Sequence, residues 1–334
     1  VDRTNSMNST RSPPSLTEAS MKNVNRLDSR SLVMGIVFSI IWSSAFTSAR
    51  ILVSSAPPLM ILSVRFMISG LLGMALARAM GQKIQLDREE WYAVAIIGVC
   101  QNALYLGLNF LAMQWIGAGV AAILASLLPL IVAAVSWVFL GERTGLTGIL
   151  GLTAGFAGVL VIMLDKVSGS SRLLGLVFCL IGVLALAGAT MLVSRISGKN
   201  RNLLMVVGMQ MIVGSVTLFP FSLFLETWVI DWSWSLVIAF CYTTLMPGLF
   251  ATLIWFLLVG RIGPVRASTF HFLNPFFGVF IASIILAEPL SVRDGIGVVI
   301  IMAGILAVQL SRRPQEVGDQ NRGSKNSEEG GMKA

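Results

Sequence analysis

Arg65 stands in the run SVRFMISGLL, about seven residues inside a long apolar segment. At 1.5 Å per residue that is about 10 Å deep. A charge at the centre of a membrane helix costs about 2.5–3.5 kcal/mol on insertion scales, so such a residue faces a cavity or partner, or else snorkels to the headgroups. If it faces a cavity, it could hold a substrate carboxylate. Gln101, Tyr105 and Asn109 follow at i, i+4 and i+8, with Asn102 beside them, and this spacing makes one polar stripe on a helix. The stripe is either a cavity wall that hydrogen-bonds substrate or glue between helices. His271, the single histidine, lies with Ser268, Thr269 and Asn274 just before Pro275. Its titration near neutral pH would suit proton coupling, and a neighbouring helix could equally satisfy it. Trp42, Ser43, Ser44 and Thr47 put an aromatic plate beside hydroxyls, and Gln210 and Trp255 add the same kinds of group. Such plates with a few polar groups suit small organic solutes. Pro129 and Pro275 each remove a backbone donor and act as gating hinges or as static kinks.

The elements that carry these residues must be membrane helices. The chain has 334 residues, of which 55% are hydrophobic and 12% charged, with a mean hydropathy of +0.82. Soluble domains carry about 25% charged residues, so this chain cannot cover a water-facing surface. Ten apolar spans of about 20 residues are predicted, numbered 1 to 10 in chain order: about 32–53, 58–79, 92–113, 117–140, 145–164, 173–195, 203–225, 235–258, 265–287 and 292–311. Residues 1–30 and 312–334 read as disordered cytoplasmic tails, polar and without apolar period. With the N-terminus inside, Lys and Arg near the membrane number 14 inside against 4 outside, the latter being Arg50, Lys166, Arg172 and Arg293. The positive-inside rule therefore predicts a multi-pass protein of the cell (inner) membrane with both termini cytoplasmic. It also accounts for the net charge of +8 without nucleic acid.

The chain is duplicated. Residues 117–164 align without a gap on residues 263–310, so that Gly117 falls on Gly263, Ala121 on Ala267, Pro129 on Pro275, Glu142 on Glu288, Gly151 on Gly297 and Gly158 on Gly304. The offset, 275 minus 129, is 146 residues. Each unit, 31–165 and 172–311, holds five spans, an odd number, so the second must enter the membrane from the opposite side. The predicted fold is an all-α integral membrane protein with ten transmembrane helices as two inverted five-helix repeats. Inverted halves that exchange conformations give alternating access to a midplane site. On this reading Glu142 and Glu288 lie at opposite faces.

The pattern resembles the EamA branch of the drug/metabolite transporter superfamily. The resemblance rests on Pro129 with Gly141-Glu142, then Gly148, Gly151, Gly155 and Gly158. In the second unit it rests on Asn274-Pro275 with Ala287-Glu288, then Gly295, Gly297 and Gly304, and it extends to Trp42 and Arg65. It covers nearly all of Leu32 to Leu310 and implies a carrier of amino acids, drugs or metabolites, with no shared binding motif to name the substrate. The second unit departs from the first at Ala287, where the first has Gly141.

Several chemistries have no carrier here. Glu142, Asp165, Glu226, Glu288 and Asp294 all sit at span ends, so a carboxylate relay has no member at mid-membrane, and proton antiport and facilitated diffusion both stay open. No GxxxxGK[ST] or HExxH occurs, and Cys100, Cys179 and Cys241 form no CxxC pair. No catalytic residue, metal or cofactor is expected. The reading is a secondary transporter, not an enzyme, that exports a small metabolite, an amino acid or related compound. A membrane enzyme or a non-transporting subunit or receptor is the alternative. Gly151 and Gly155 form a GxxxG pair compatible with a homodimer face.

Overall fold

A computed structural model describes residues 29–140, 146, 149–151, 153–155, 157–158, 170–197, 202–287 and 292–311. Both polar tails apart from Ser29 and Arg30, the Gly141-Glu142 and Glu288-Pro289 pairs, Gly148, Asp165 and much of span 5 lie outside the described residues. Every regular element among the described residues is helical. Eight helices are long and apolar enough to cross a membrane. They are Ser29–Ser55, Pro58–Ala79, Arg88–Ala112, Ala118–Val135, Arg172–Ser197, Leu203–Leu225, Trp234–Ile262 and Pro264–Leu286, and they fall on spans 1–4 and 6–9. Span 10 is the helix Val292–Ser311, and the described part of span 5 is helical too. Large apolar side chains on the outer faces, such as Leu71, Phe224 and Ile284, stand exposed, as expected where the surrounding solvent is lipid.

Helix starts follow from local chemistry. Span 3 begins at Arg88, four residues before the predicted start, because Asp87 and Glu90 form a capping box: Glu90 N donates to Asp87 Oδ1 at 2.8 Å, and Asp87 N donates to Glu90 Oε2 at 2.9 Å. Ser233 caps span 8 at the matching place, accepting from Leu236 N. Span 2 begins with prolines and has no cap of its own. Glu226, at the end of span 7, supplies one by accepting from Leu59 N at 2.8 Å and Met60 N at 2.9 Å. Burial holds its carboxyl above the ordinary range, against the pull of those two amide bonds. Gln82 does the same for span 7, accepting from Met205 N at 3.1 Å.

The contacts between spans 2 and 7 decide how the units are related. Ser63 Oγ donates to Ser215 O at 3.0 Å, and Ser215 Oγ donates to Ser63 O at 2.8 Å. Further along, Gly70 meets Gly208 so closely that a Cβ on either would lie within 2.9 Å of the other's carbonyl oxygen. Advancing along span 2 from Ser63 to Gly70 thus means retreating along span 7 from Ser215 to Gly208. Equivalent helices cross antiparallel, so the two units are inverted. Phe66 and Ile212 lie midway between these contacts. Small residues allow the approach at other equivalent pairs: Gly278 of span 9 faces Ala122 of span 4, and Gly304 of span 10 faces Gly151 and Gly155 of span 5.

Two kinds of break interrupt the helices. Spans 3 and 8 carry widened π turns at Gly98–Leu106 and Thr244–Ala251. In span 8 the cause is Pro247, which lacks an N–H and cannot continue the regular ladder. Span 4 breaks at Ser126-Leu127 before the helix Leu128–Leu140. Span 9 passes through a 3₁₀ stretch, Thr269–Leu273, before Asn274–Leu286. Pro129 and Pro275 sit in the first turn of the second segments, where a proline leaves no bond unmade.

Candidate functional site

A chamber lies beside the crossing of spans 2 and 7. Span 1 lines it with Trp42, Ala45, Phe46 and Ala49, a set spaced by three or four residues and hence on one face. Span 2 contributes Arg65 and Phe66; span 3 contributes Asn102, Tyr105, Leu106, Asn109, Phe110 and Met113. Thr243, Pro247 and Thr252 come from span 8. The cavity volume is about 30 Å³, room for a few waters at about 10–15 Å³ each. The chamber as it stands is therefore too small for an organic solute.

Arg65 is 3% exposed, which removes the snorkelling alternative. It makes no hydrogen bond or ion pair with any described residue, and its Nε is buried without a partner. Its guanidinium carbon lies 5.0 Å from the centre of the Phe66 ring, a cation–π contact. Gly248 lets span 8 come close: a Cβ there would lie 3.4 Å from an Arg65 terminal nitrogen and 3.1 Å from Ser69 Oγ. Ser69 Oγ donates to Thr244 O at 2.9 Å, tying span 2 to the π turn.

Across the chamber, Trp42 and Tyr105 stack with ring centroids 6.3 Å apart and planes 4° from parallel. The Tyr105 hydroxyl proton has no acceptor among the described residues; the one polar side-chain group that bears on the hydroxyl is the Trp42 indole, itself a donor. Asn109 Nδ2 donates to Tyr105 O at 2.8 Å, and Asn109 Oδ1 accepts from Cys179 Sγ. Asn102 Nδ2 donates to Gln210 Oε1 at 2.6 Å and to Gln210 O at 2.9 Å. Gln210 therefore holds Asn102 from behind and does not line the chamber.

A second polar cluster sits on the other side of Trp42. Ser43 Oγ donates to Asn274 Oδ1 at 3.0 Å, and Asn274 Nδ2 lies 2.8 Å from His271 Nδ1. With Nδ1 accepting, the neutral ring carries its proton on Nε2, which has no partner. Phe38, Trp42 and Trp255 surround the imidazole at centroid distances of 5.2, 5.8 and 5.0 Å. His271, Asn274, Ser43 and Trp255 thus form the wall behind Trp42.

Of the residues singled out in the sequence, Trp42, Arg65, Asn102, Tyr105 and Asn109 meet at the chamber. Ser43, Gln210, Trp255, His271 and Asn274 support its wall, and Pro129 and Pro275 stand at the span breaks. Gln101 is fully buried, does not line the chamber, and has neither amide atom partnered among the described residues. Sequence reasoning missed Phe46, Phe66, Phe110, Met113 and the span 8 residues. The mid-span Pro247 was the one visible signal for the last of these.

A family model described as the EamA-like transporter family matches residues 29–164 and again 173–310, one match per unit. The chain belongs to the EamA-like transporter family. An uncharacterized transporter of Bacillus subtilis, YvbV, is 25% identical over 278 residues, covering 83% of this chain and 90% of its own length. The uncharacterized inner membrane transporter YedA of Escherichia coli is 28% identical over 285 residues, covering 84% and 91%. A solved crystal structure matches with a TM-score of 0.63 at 18% identity, over 84% of this chain and 97% of that one, a likeness that shows the fold alone. The EamA architecture, two matched units of apolar helices, agrees with the multi-pass membrane protein described above.

Proposed function

We propose that this EamA-like chain is a secondary transporter that exports a small metabolite, an amino acid or related compound, by alternating access. We place it in the cell membrane with both termini in the cytoplasm, on the bias of Lys and Arg toward that side. The observation that carries the reading is the position of the chamber. It lies beside the crossing of two inverted units and is lined by helices of both, where an exchange of conformations between the units opens a fixed site to one face and then the other. Trp42, Arg65, Asn102, Tyr105 and Asn109 are the contacts proposed for the substrate, with the cluster around His271 holding Trp42 in place. Pro129 and Pro275 are proposed as the points about which spans 4 and 9 bend.

The test is counterflow into liposomes containing the purified full-length chain, loaded with a panel of amino acids, hydroxy acids, aryl carboxylates such as 3-phenylpropionate, and polyamines, with and without a pH gradient. Accumulation of at least one compound is expected, and dependence on the gradient separates proton antiport from facilitated diffusion. Correctly folded protein that moves no member of the panel would overturn the reading.

A further inference from the structure

We propose that the chamber is built for an organic monoanion: a carboxylate on an aromatic or apolar body, without an ammonium group. The inference rests on the carrier reading above and selects, within its amino acids and related compounds, the related carboxylates over the amino acids themselves.

The argument is an inventory of donors and acceptors. Two donors at the chamber are spare: the Arg65 guanidinium, buried with no hydrogen bond or ion pair among the described residues, and the Tyr105 hydroxyl, whose proton has no acceptor among them. The nearby carbonyl and amide acceptors each already receive a bond. Tyr105 O, which sits in the π turn of span 3, receives Asn109 Nδ2, and Asn109 Oδ1 receives Cys179 Sγ. Pro247 O, in the π turn of span 8, receives Thr252 Oγ1. Thr243 Oγ1 gives its proton to Ala239 O. No carboxylate of a described residue lines the chamber. The acceptors that remain, Asn102 Oδ1 and the two threonine hydroxyl oxygens, are all neutral.

An anion entering this site gains a full opposite charge, a charge-assisted and geometrically forked partner. An ammonium group finds only neutral acceptors and no opposite charge, and gives up its hydration. Zwitterionic amino acids would have half their charge left unmet, and cations would be repelled by Arg65. The apolar side of the site favours a flat body. Trp42 and Tyr105 are nearly parallel, with centroids 6.3 Å apart, and offer flat aromatic surface to such a body.

Three probes of one skeleton isolate the charge: 3-phenylpropionate, phenylalanine and phenethylamine, added to the purified full-length protein at neutral pH and read by ligand-induced thermal shift. The expected order is 3-phenylpropionate at least about tenfold tighter than phenylalanine, with phenethylamine not binding. Arg65→Met should remove the preference for the anion, and Arg65→Lys should keep part of it. The ranking by the unaltered protein needs no variant, so a failure of Arg65→Met to fold leaves the test intact. Phenylalanine binding as well as or better than 3-phenylpropionate would overturn the inference. In the liposome assay, transport of phenylalanine but not of 3-phenylpropionate overturns this inference and leaves the carrier standing. Transport of no compound at all by folded protein brings down both.

Discussion

The two units share a backbone and differ in chemistry. With the 146-residue offset, Pro58–Ala79 falls on the helix Leu203–Leu225, the π turn Gly98–Leu106 on Thr244–Ala251, and the half-helix Leu128–Leu140 on Asn274–Leu286. Even the caps correspond, Asp87 with Ser233. The side chains at the chamber do not. Where the first unit has Trp42, Arg65, Asn102 and Tyr105, the second has Gly188, Met211, Gly248 and Ala251. Where the second has His271 and Asn274, the first has Ala125 and Leu128. The difference has a physical logic. Both units must bend alike if they are to exchange shapes, so the breaks are needed twice. Both face one chamber, so a charge is needed there once. The second unit instead offers small surfaces, Pro247 and Gly248, against which Arg65 can lie.

The strongest way to break this symmetry is at the antiparallel crossing. Gly208 corresponds to Leu62 of the first unit, yet a Cβ at Gly208 would lie 2.8 Å from Met74 Cγ and 2.9 Å from Gly70 O. Gly208→Leu makes the two sequences more alike and should still be the most damaging change, about 3 kcal/mol or more, because backbone on the far side cannot give way. Loss of monodisperse folded protein is the expected readout. A tolerated leucine would mean that spans 2 and 7 do not cross there.

Arg65→Met carries the comparison into the chamber by giving the first unit the residue of the second. The variant removes a buried, unpaired charge, so thermal stability should rise, by about 1–3 kcal/mol. Transport should fall at least tenfold. A variant that loses both stability and transport would instead indicate that Arg65 has a structural partner.

Much of the fold was legible in the sequence, because lipid forces long apolar helices and the duplication shows as a fixed offset. The inversion followed from the odd number of spans, and the Ser63–Ser215 and Gly70–Gly208 contacts bear it out. The site was legible only in part. The stripe Gln101, Tyr105, Asn109 was centred one position off: Asn102, Tyr105, Leu106, Asn109 and Met113 share the face on the chamber, so that Asn102 lines it and Gln101 does not. The lone His271 left two readings open, proton coupling and satisfaction by a neighbour, and the sequence did not show that Asn274 and three aromatic rings enclose it. Those partners come from spans 1, 8 and 9, and no local pattern announces contacts between residues more than 200 positions apart, such as Ser43 and Asn274.

The clips at the two starts of spans 2 and 7 give a smaller contrast. Glu226 satisfies two amide donors, Gln82 one. Glu226→Ala should therefore cost about 2 kcal/mol and Gln82→Ala about 1 kcal/mol, by denaturation of the purified protein. Their pH responses should differ as well. Because folding raises the Glu226 pKa, the stability this group contributes is fully present below the ordinary carboxylate pKa and is lost as pH rises through the folded value. Glu226→Gln, neutral throughout, should flatten that fall. An unchanged pH profile in Glu226→Gln would remove the carboxyl as its source.

Ala287 gives the smallest expected effect, where the second unit lacks the glycine of the first. It ends span 9 in the left-handed region, φ 52° and ψ 32°, and is the sole non-glycine residue with positive φ among those described. Its counterpart Gly141 lies outside the described residues, but glycine is the residue that this conformation favours. An L-residue there carries about 1–2 kcal/mol of strain, and the greater freedom of glycine in the unfolded chain takes back about 0.5–1 kcal/mol. Ala287→Gly should thus stabilise the protein by about 0.5–1 kcal/mol, and Ala287→Val, β-branched and worse suited to positive φ, should destabilise it by more. Equal melting temperatures for all three would mean that span 9 does not end in a left-handed turn, and that the units differ in backbone at this point as well as in side chains.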